Sequence, residues 1–525
     1  MFKRIVVLAL GMASYGMAVQ AQTIPVGAAG TEDVLRSLQL MGKIDPTVSF
    51  TARPFFTSDR FTTDSLYALI DPADAAASSY KSRYTFGKTG VVEALPVTWI
   101  QQYNSHHPYG WNNAGMISAK GYQTLVSAGV YAKLGPLSVQ LRPEFVYAAN
   151  PVFAHNAAYG MSTTTGSYTK LFPGQSNIRL NAGPVSLGIS TENLWWGPGV
   201  NNALLMTNNA PGFAHITLNS TRPVKTPVGH FEWQLVSGKL EWDPGHVAEN
   251  MDMRTYEQVY FPTAIENDWR YFNGIVISYQ PKWTPGLTLG LTRAFQTYHE
   301  DLSLNRSFMS KYLPVFSAFQ KDQTNNEDSL RRDQVTSLFF RWAMPSEQFE
   351  LYGEYGWNDH SANTRDFVMS PTHSAAYLAG VRKLFPLKNN RYIETNIEII
   401  QLSQSPDYLV REAGNWYVHG QILQGYTNHN QVLGAGIGPG RNMQTATVSW
   451  VNGWKRLGIM LERLQNDPIV HAIKWTDISL GLLGQWNYRH FLFNARLQCI
   501  NSQHYAWEPP NKFNVHGIVS ASYRF

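Results

Sequence analysis

Alternation constrains this chain more than any other feature. Across its last eleven residues, Val515, Gly517, Val519, Ala521, Tyr523 and Phe525 share one parity, and His516, Ser520, Ser522 and Arg524 share the other, with Ile518 the exception. Successive side chains of a strand point to opposite faces, so such a segment is apolar on one side and polar on the other. The same pattern recurs. Leu137, Val139, Leu141 and Phe145 alternate with Ser138, Gln140, Arg142 and Glu144. Phe231, Trp233 and Leu235 alternate with polar neighbours, as do Leu287, Leu289 and Leu291, then Ile393, Ile397 and Ile399, then Phe491, Phe493, Ala495 and Leu497. After the first 21 residues no run of 18 apolar residues occurs, which removes a membrane-spanning helix. Charged residues make up only 15% of the chain, against about 25% in an average soluble domain. The many aromatics exclude disorder. The single Cys499 excludes a disulfide scaffold and a cysteine-based zinc site.

The alternation fits either a soluble sandwich or a transmembrane barrel. The amino terminus favours the barrel. Lys3 and Arg4 precede the apolar run Ile5 to Ala13, and Val19-Gln20-Ala21 offers small residues for cleavage, the pattern of a secretory signal. Residues 1–21 are therefore expected to be a signal peptide, with Gln22 as the new terminus. Losing Lys3 and Arg4 lowers the net charge from +5 to +3, and no basic stripe marks a nucleic-acid partner. The terminal Phe525 resembles the strand that outer-membrane barrels present to their assembly machinery.

Turn chemistry sets the strand count. Gly, Pro or Asn clusters occur at 134–136, 181–184, 237–238, 284–286, 344–346, 386–390, 452–453 and 487–490, the residues tight turns favour. Eight hairpins with a first strand near 92–102 and a last near 515–525 predict an all-β fold: a transmembrane antiparallel β-barrel of about 18 strands over residues 92–525. Short turns would be periplasmic. Long loops at 104–120, 149–174, 192–228, 244–268, 298–333, 358–373, 404–443, 466–474 and 501–513 would be extracellular. Residues 22–91 read as a small periplasmic helical segment. Thr31 is the expected cap of a helix carrying Val34, Leu35, Leu38 and Met41, with Gly42 as its stop, and 61–80 suggests a second helical stretch. This segment is expected to pack against or plug the periplasmic mouth.

Catalytic patterns are sparse. Neither H-E-x-x-H nor G-x-S-x-G occurs, and Ser167-Tyr168-Thr169-Lys170 fits S-x-x-K in a loop, where four-residue patterns arise by chance. His106-His107 lacks further ligands at fixed spacing and reads as solvated. Glu394 and Glu398 could form a glycosidase pair, but lumen-lining carboxylates paired with Arg142 and Arg496 are the plainer reading. No catalytic residue, metal or cofactor is assigned. Two loops carry aromatics beside amides: Asn193-Leu194-Trp195-Trp196-Gly197-Pro198-Gly199, and the tract from Trp416 through Tyr426, Asn428 and His429 to Arg441. Aromatic faces stack on sugar rings, and Asn, His and Arg bond hydroxyls. Asn193, Trp195, Trp196, Trp416, Tyr426, Asn428, His429 and Arg441 are the candidate polysaccharide contacts. Lys170, Arg222, Lys225 and Arg441 are expected outward cations for an acidic polymer.

At Trp195-Trp196-Gly197-Pro198-Gly199, at the tract Gln431 to Gly440 and at the opening Leu38 to Asp45, the chain resembles the capsule assembly Wzi family of outer-membrane proteins. The resemblance implies an 18-stranded barrel with a periplasmic helical bundle. It also implies a non-enzymatic surface lectin that holds capsular or exopolysaccharide at the outer membrane of a Gram-negative cell. The expected partners are that polysaccharide, outer-membrane lipid and, through Phe525, the barrel assembly machinery. A transport channel and an outer-membrane hydrolase are the alternatives.

Overall fold

The computed structural model describes residues 22–28, 30–56, 83–87, 90–151, 166–243, 268–304, 307–317, 329–358, 368–369, 372–403, 415–468 and 472–525. The expected signal peptide and the helical stretch at 61–80 lie outside these residues. Among the described residues, 18 antiparallel strands form one closed barrel. They are β1 (Gly90–Asn104), β2 (Gly121–Leu134), β3 (Leu137–Leu141 and Glu144–Ala148), β4 (Tyr168–Phe172 and Asn177–Ala182), β5 (Val185–Ser190) and β6 (His215–Ser220, extended by Val224–Thr226). β7 (Gly229–Leu240), β8 (Arg270–Pro281), β9 (Leu287–Tyr298), β10 (Asp333–Met344), β11 (Phe349–Asn358) and β12 (Ala375–Pro386) follow. β13 (Arg391–Gln401), β14 (Arg441–Asn452), β15 (Lys455–Asn466), β16 (Trp475–Tyr488), β17 (Phe491–Gln503) and β18 (Lys512–Tyr523) complete the wall. β18 pairs with β1, His516 opposite Asn104 through Tyr523 opposite Val97, and this seam removes the free edges.

Burial reverses the usual inside-out rule. Outward side chains are apolar and exposed, as at Ile459, Leu461, Ile478, Leu480, Leu482 and Val519, while inward Gln498, His516 and Ser520 are buried. A barrel whose surroundings are hydrocarbon needs this arrangement. Near the short turns Trp283, Trp486 and Tyr488 stand outward, and near the long loops Tyr103, Tyr122 and Phe513 do so, as interfacial girdles require.

One expected turn is displaced. Ser237-Gly238 lies inside β7, and the reversal falls instead between Thr226 and Gly229. Gly238 is there for close approach: a Cβ would lie 2.6 Å from the Ala214 carbonyl and 2.9 Å from the Phe213 ring. The connection expected at 192–228 is consequently shorter, because β6 occupies part of it. Arg222 and Lys225 then sit at the short-turn end, away from the loops.

The amino-terminal segment lies within the lumen. α1 (Thr31–Leu40) begins after Gly30, a left-handed residue with no side-chain cap, so Thr31 is its first residue and not its cap. Gly42, at φ 69°, ends it as expected and donates to the Gln39 carbonyl. Its apolar face, Val34, Leu35 and Leu38, packs with Ile44, Phe50, Trp454 and Leu492. Its other face meets charged wall residues. Arg36 pairs with Glu350 at 2.9 Å, Asp33 with Arg382 at 2.6 Å, and Ser37 donates to Glu394 at 2.6 Å.

Candidate functional site

The loops of the long-loop end fold inward. Residues 193–213 and 415–440, with Tyr109, build an apolar cluster inside the wall around Trp196, Leu204, Leu205, Met206, Phe213 and Trp416. The lumen is thus filled from both ends. The two fillings meet at Trp195-Trp196-Gly197-Pro198-Gly199. Trp195 pairs with Arg53 and Trp196 with Ala52 in a two-stranded sheet, and the Gly197 amide donates to the Thr51 carbonyl at 2.9 Å. Arg53 donates to the carbonyls of Gly197 (2.7 Å) and Gly199 (3.3 Å), pairs with Glu32, and lies 4.7 Å above the Trp195 ring. Arg36 donates to the Pro198 carbonyl. The glycines are required by space: Gly197 has φ 113°, and a Cβ there would overlap the Glu354 carboxylate. The motif is therefore a joint between the inward loops and the amino-terminal segment.

This fixes where the expected contacts lie. Trp196 is fully buried and donates from Nε1 to Gln234 at 2.7 Å. Trp195, Trp416 and Tyr426 are also buried, Trp416 bonding the Ser374 carbonyl at 2.8 Å. Asn193 donates to the Ala210 carbonyl at 2.6 Å. Asn428 bridges the Pro211 carbonyl and the Glu241 amide at 3.0 and 2.9 Å. Arg441 is buried, not outward, and donates to the Ile437 carbonyl at 2.7 Å. These seven side chains offer no free face for a sugar to stack on, and the loop layer encloses them.

His429 is the exception. It is half-buried at the mouth, with Nδ1 3.1 Å from Asp243 and its ring 5.4 Å from Phe172. Lys170 bonds the same carboxylate at 3.2 Å, and Asn430 donates to the Asp243 carbonyl at 2.9 Å. Partial burial works against charge on Asp243, but His429 and Lys170 outweigh it and hold the carboxyl at about 2. The group is depressed below the ordinary value of about 3.9, so its contribution is present above that value and lost as pH falls toward 2.

The paired histidines also differ from expectation. His107 is buried, stacked on Tyr505 at 4.4 Å, and its Nε2 lies 3.2 Å from Ser502 Oγ. Burial first, then His106 and Lys120, push it down to about 3. It folds neutral, while an unfolded loop takes the proton near pH 6.5. Stability of this packing is thus full above pH 6.5 and lost as pH falls toward 3. The protection factor of amides over 105–118, each rate being divided by the intrinsic rate at the same pH, is expected to fall between pH 7 and pH 5, and an unchanged protection factor would contradict the assignment.

The lumenal carboxylates have partners other than Arg142 and Arg496. Glu394 takes Arg456 at 2.7 Å. Glu398 accepts from the Val200 amide (2.7 Å) and the Tyr352 hydroxyl (2.9 Å). Arg142 donates to Thr98 at 3.0 Å. The residues that carry the joint, Arg36, Arg53 and Glu350, belong to no sequence motif. For Glu350, as for Arg341 and Arg382, the only signal is charge on a lumen-facing strand position, and Arg36 on α1 and Arg53 before the wall carry none. Among the described residues no group of three or more His, Cys, Asp or Glu could hold a metal.

No curated protein matches the sequence. Among solved structures, the chain is similar to Wzi of Escherichia coli, described as an outer membrane protein involved in group 1 capsule assembly and a carbohydrate-binding β-barrel. The two share 12% identity over 97% of this chain and 100% of that one, with a TM-score of 0.63. OpdQ of Pseudomonas aeruginosa aligns over 82% of this chain and 97% of its own at 10% identity, with a TM-score of 0.41. A BenF-like porin from Pseudomonas fluorescens covers 83% and 99% at 7% identity, also with a TM-score of 0.41. A family model described as capsule assembly protein Wzi matches residues 98–492, well over half of the 525. On that match the chain belongs to the capsule assembly protein Wzi family.

Proposed function

We propose that this chain is a non-enzymatic, lectin-like protein of a Gram-negative outer membrane that holds capsular or exopolysaccharide at the cell surface. The observation that carries the reading is the doubly filled lumen, joined at Trp195–Gly199, which leaves a scaffold for loops in place of an open passage. Its kinship with carbohydrate-binding Wzi of Escherichia coli gives the ligand class. In this reading the long loops face outward and the short turns and α1 face the periplasm. Residues 1–21 are a cleaved signal, and Phe525 addresses the assembly machinery. The channel alternative is disfavoured because the inward loops and the amino-terminal segment meet within the wall at Trp195–Gly199; a cavity of about 390 Å³ lies beside that segment. A hydrolase is disfavoured because Glu394 and Glu398 are both engaged inside the packed lumen.

Of the expected contacts, His429 is the one with partial exposure, and with Lys170 it presents a polar mouth suited to hydroxyls and carboxylates. The test compares cell-bound with shed polysaccharide in a deletion strain and its parent. Deletion is expected to move polymer from the cell to the medium without stopping secretion; an unchanged partition contradicts the proposal. Lys170→Ala with His429→Ala is expected to shift the partition the same way while the purified barrel keeps its heat-modifiable migration. Purified parent protein is expected to be electrically silent in planar bilayers; steady large openings would support the channel.

A further inference from the structure

A membrane barrel needs apolar side chains around its whole outer wall, because a polar group facing hydrocarbon without a partner costs several kcal/mol. One stretch departs from this. Toward the long-loop end, outward positions of β8, β9 and the lead-in to β10 hold Asn273, Arg293, Thr297, Arg332 and Gln334. All five are buried, although inward neighbours on the same strands, such as Ala294 and Val335, face the lumenal cluster.

The cover is residues 307–317 of the β9–β10 connection, lying against the outside of the wall. They form a short helix, α2 (Phe308–Tyr312), and a turn at Pro314–Phe316. Arg293 donates to the carbonyls of Val315 (3.2 Å) and Ser317 (2.6 Å) and to Gln334 at 3.0 Å. Arg332 donates to the Ser310 carbonyl at 2.8 Å, and the Tyr271 hydroxyl to that of Tyr312 at 2.8 Å. The Val315 amide donates to Asn273 at 3.3 Å, and the Val315 side chain packs with outward Ile275, Phe295 and Leu235. The inner face of this segment thus satisfies the polar wall. Its outer face is apolar: Phe308 is 68% exposed, Met309 51% and Phe316 54%. Further along the same strands, outward Ile277, Leu289 and Leu338 are exposed in the lipid-facing band. On β16 the wall supplies that band itself, through Ile478, Leu480 and Leu482.

We infer that residues 307–317 are an external strap that seats Phe308, Met309 and Phe316 in the lipid of the membrane surface layer, replacing apolar wall that β8–β10 lack. The inference rests on the membrane-spanning reading of the barrel. Continuity with the lipid-facing band selects lipid as the occupant over a protein: the three side chains extend a surface that is already hydrocarbon-facing, where the wall beneath turns polar. Interfacial segments of this type bury their apolar face at the boundary of headgroups and acyl chains.

The test uses the full chain in phosphatidylcholine vesicles. Met309→Cys in a Cys499→Ser background carries an environment-sensitive fluorophore; the native chain labelled at Cys499, exposed on β17, reports the wall. Phosphatidylcholine bearing a shallow nitroxide is expected to remove most of the fluorescence at position 309, as it does at 499, and iodide on both sides of the membrane to leave it. Iodide quenching at 309 without nitroxide quenching, while 499 responds to nitroxide, overturns the strap and leaves the barrel reading standing. Protection at 309 from both quenchers means protein covers the patch, and also overturns it. Loss of nitroxide quenching at both positions overturns the barrel reading itself. Phe308→Ser with Phe316→Ser is expected to relieve quenching at 309 while the barrel still resists heat.

Discussion

Replacing Glu350 with alanine is expected to unseat the amino-terminal segment from a barrel that stays closed. Glu350 is fully buried between Arg36 at 2.9 Å and Arg341 at 2.9 and 3.2 Å. Removing one partner of a buried ion pair costs about 3–5 kcal/mol because the remaining charge is uncompensated, and here two guanidinium groups lose their carboxylate together. The β10–β11 ladder is made by backbone groups and does not depend on this side chain. An opening equilibrium shifted by that energy rises by roughly two to three and a half orders of magnitude. Proteolysis of residues 22–56 in detergent should accelerate accordingly, with heat-modifiable migration preserved, and planar bilayers should show intermittent openings. Glu350→Gln should do less, since it keeps an acceptor for Arg341. A parent-like cleavage rate in Glu350→Ala would show that the ion cluster does not hold the segment.

Trp196→Ala is expected to cost about 3–5 kcal/mol, the range for truncating a buried Trp. The indole fills space beside Gly274, where a Cβ would lie 2.7 Å from its ring, and contacts Phe272 at 6.5 Å between centroids. Its loss leaves a cavity and strips Gln234 of its donor. The expected result is faster amide exchange over 193–213 and 415–440, and reduced retention of polysaccharide as a consequence of the disordered loop layer. Lys170→Ala with His429→Ala separates the two causes, because it should reduce retention with exchange unchanged. If Trp196→Ala abolished retention while exchange stayed parent-like, the indole would itself be a sugar contact.

The wall was legible in the sequence because a bilayer imposes a period of two on every strand. Parity alone assigned Val519 outward and Ser520 inward, and eight turns with nine long connections followed from Gly, Pro and Asn. Where sequence pattern and structure differ, tertiary packing decides. Gly238 has the composition of a turn, but the demand it meets, room for Phe213 and His215, comes from residues more than twenty positions away. Trp195-Trp196-Gly197-Pro198-Gly199 has the composition of an exposed sugar platform and equally of a buried corner. Residues 51–53, over a hundred positions earlier, determine which, and no local pattern couples the two. The same holds for Glu394, whose partners Ser37 and Arg456 belong to other elements. Adjacency to His106 says nothing about the Tyr505 ring that covers His107. The strap was hidden for a related reason: Arg293 and Gln334 interrupt the outward apolar parity, and only the folded connection explains why they can.

The sheet formed by Ala52–Arg53 and Trp195–Trp196 gives the molecule a continuous path for tension. A pull applied to the inward loops does not end at the rim. It passes through the Trp195–Gly199 corner into residues 51–53 and on to α1, which is anchored by Arg36 and Asp33 to β11 and β12. Such a load is thereby shared between two neighbouring strands of the wall through the Arg36–Glu350 and Asp33–Arg382 pairs.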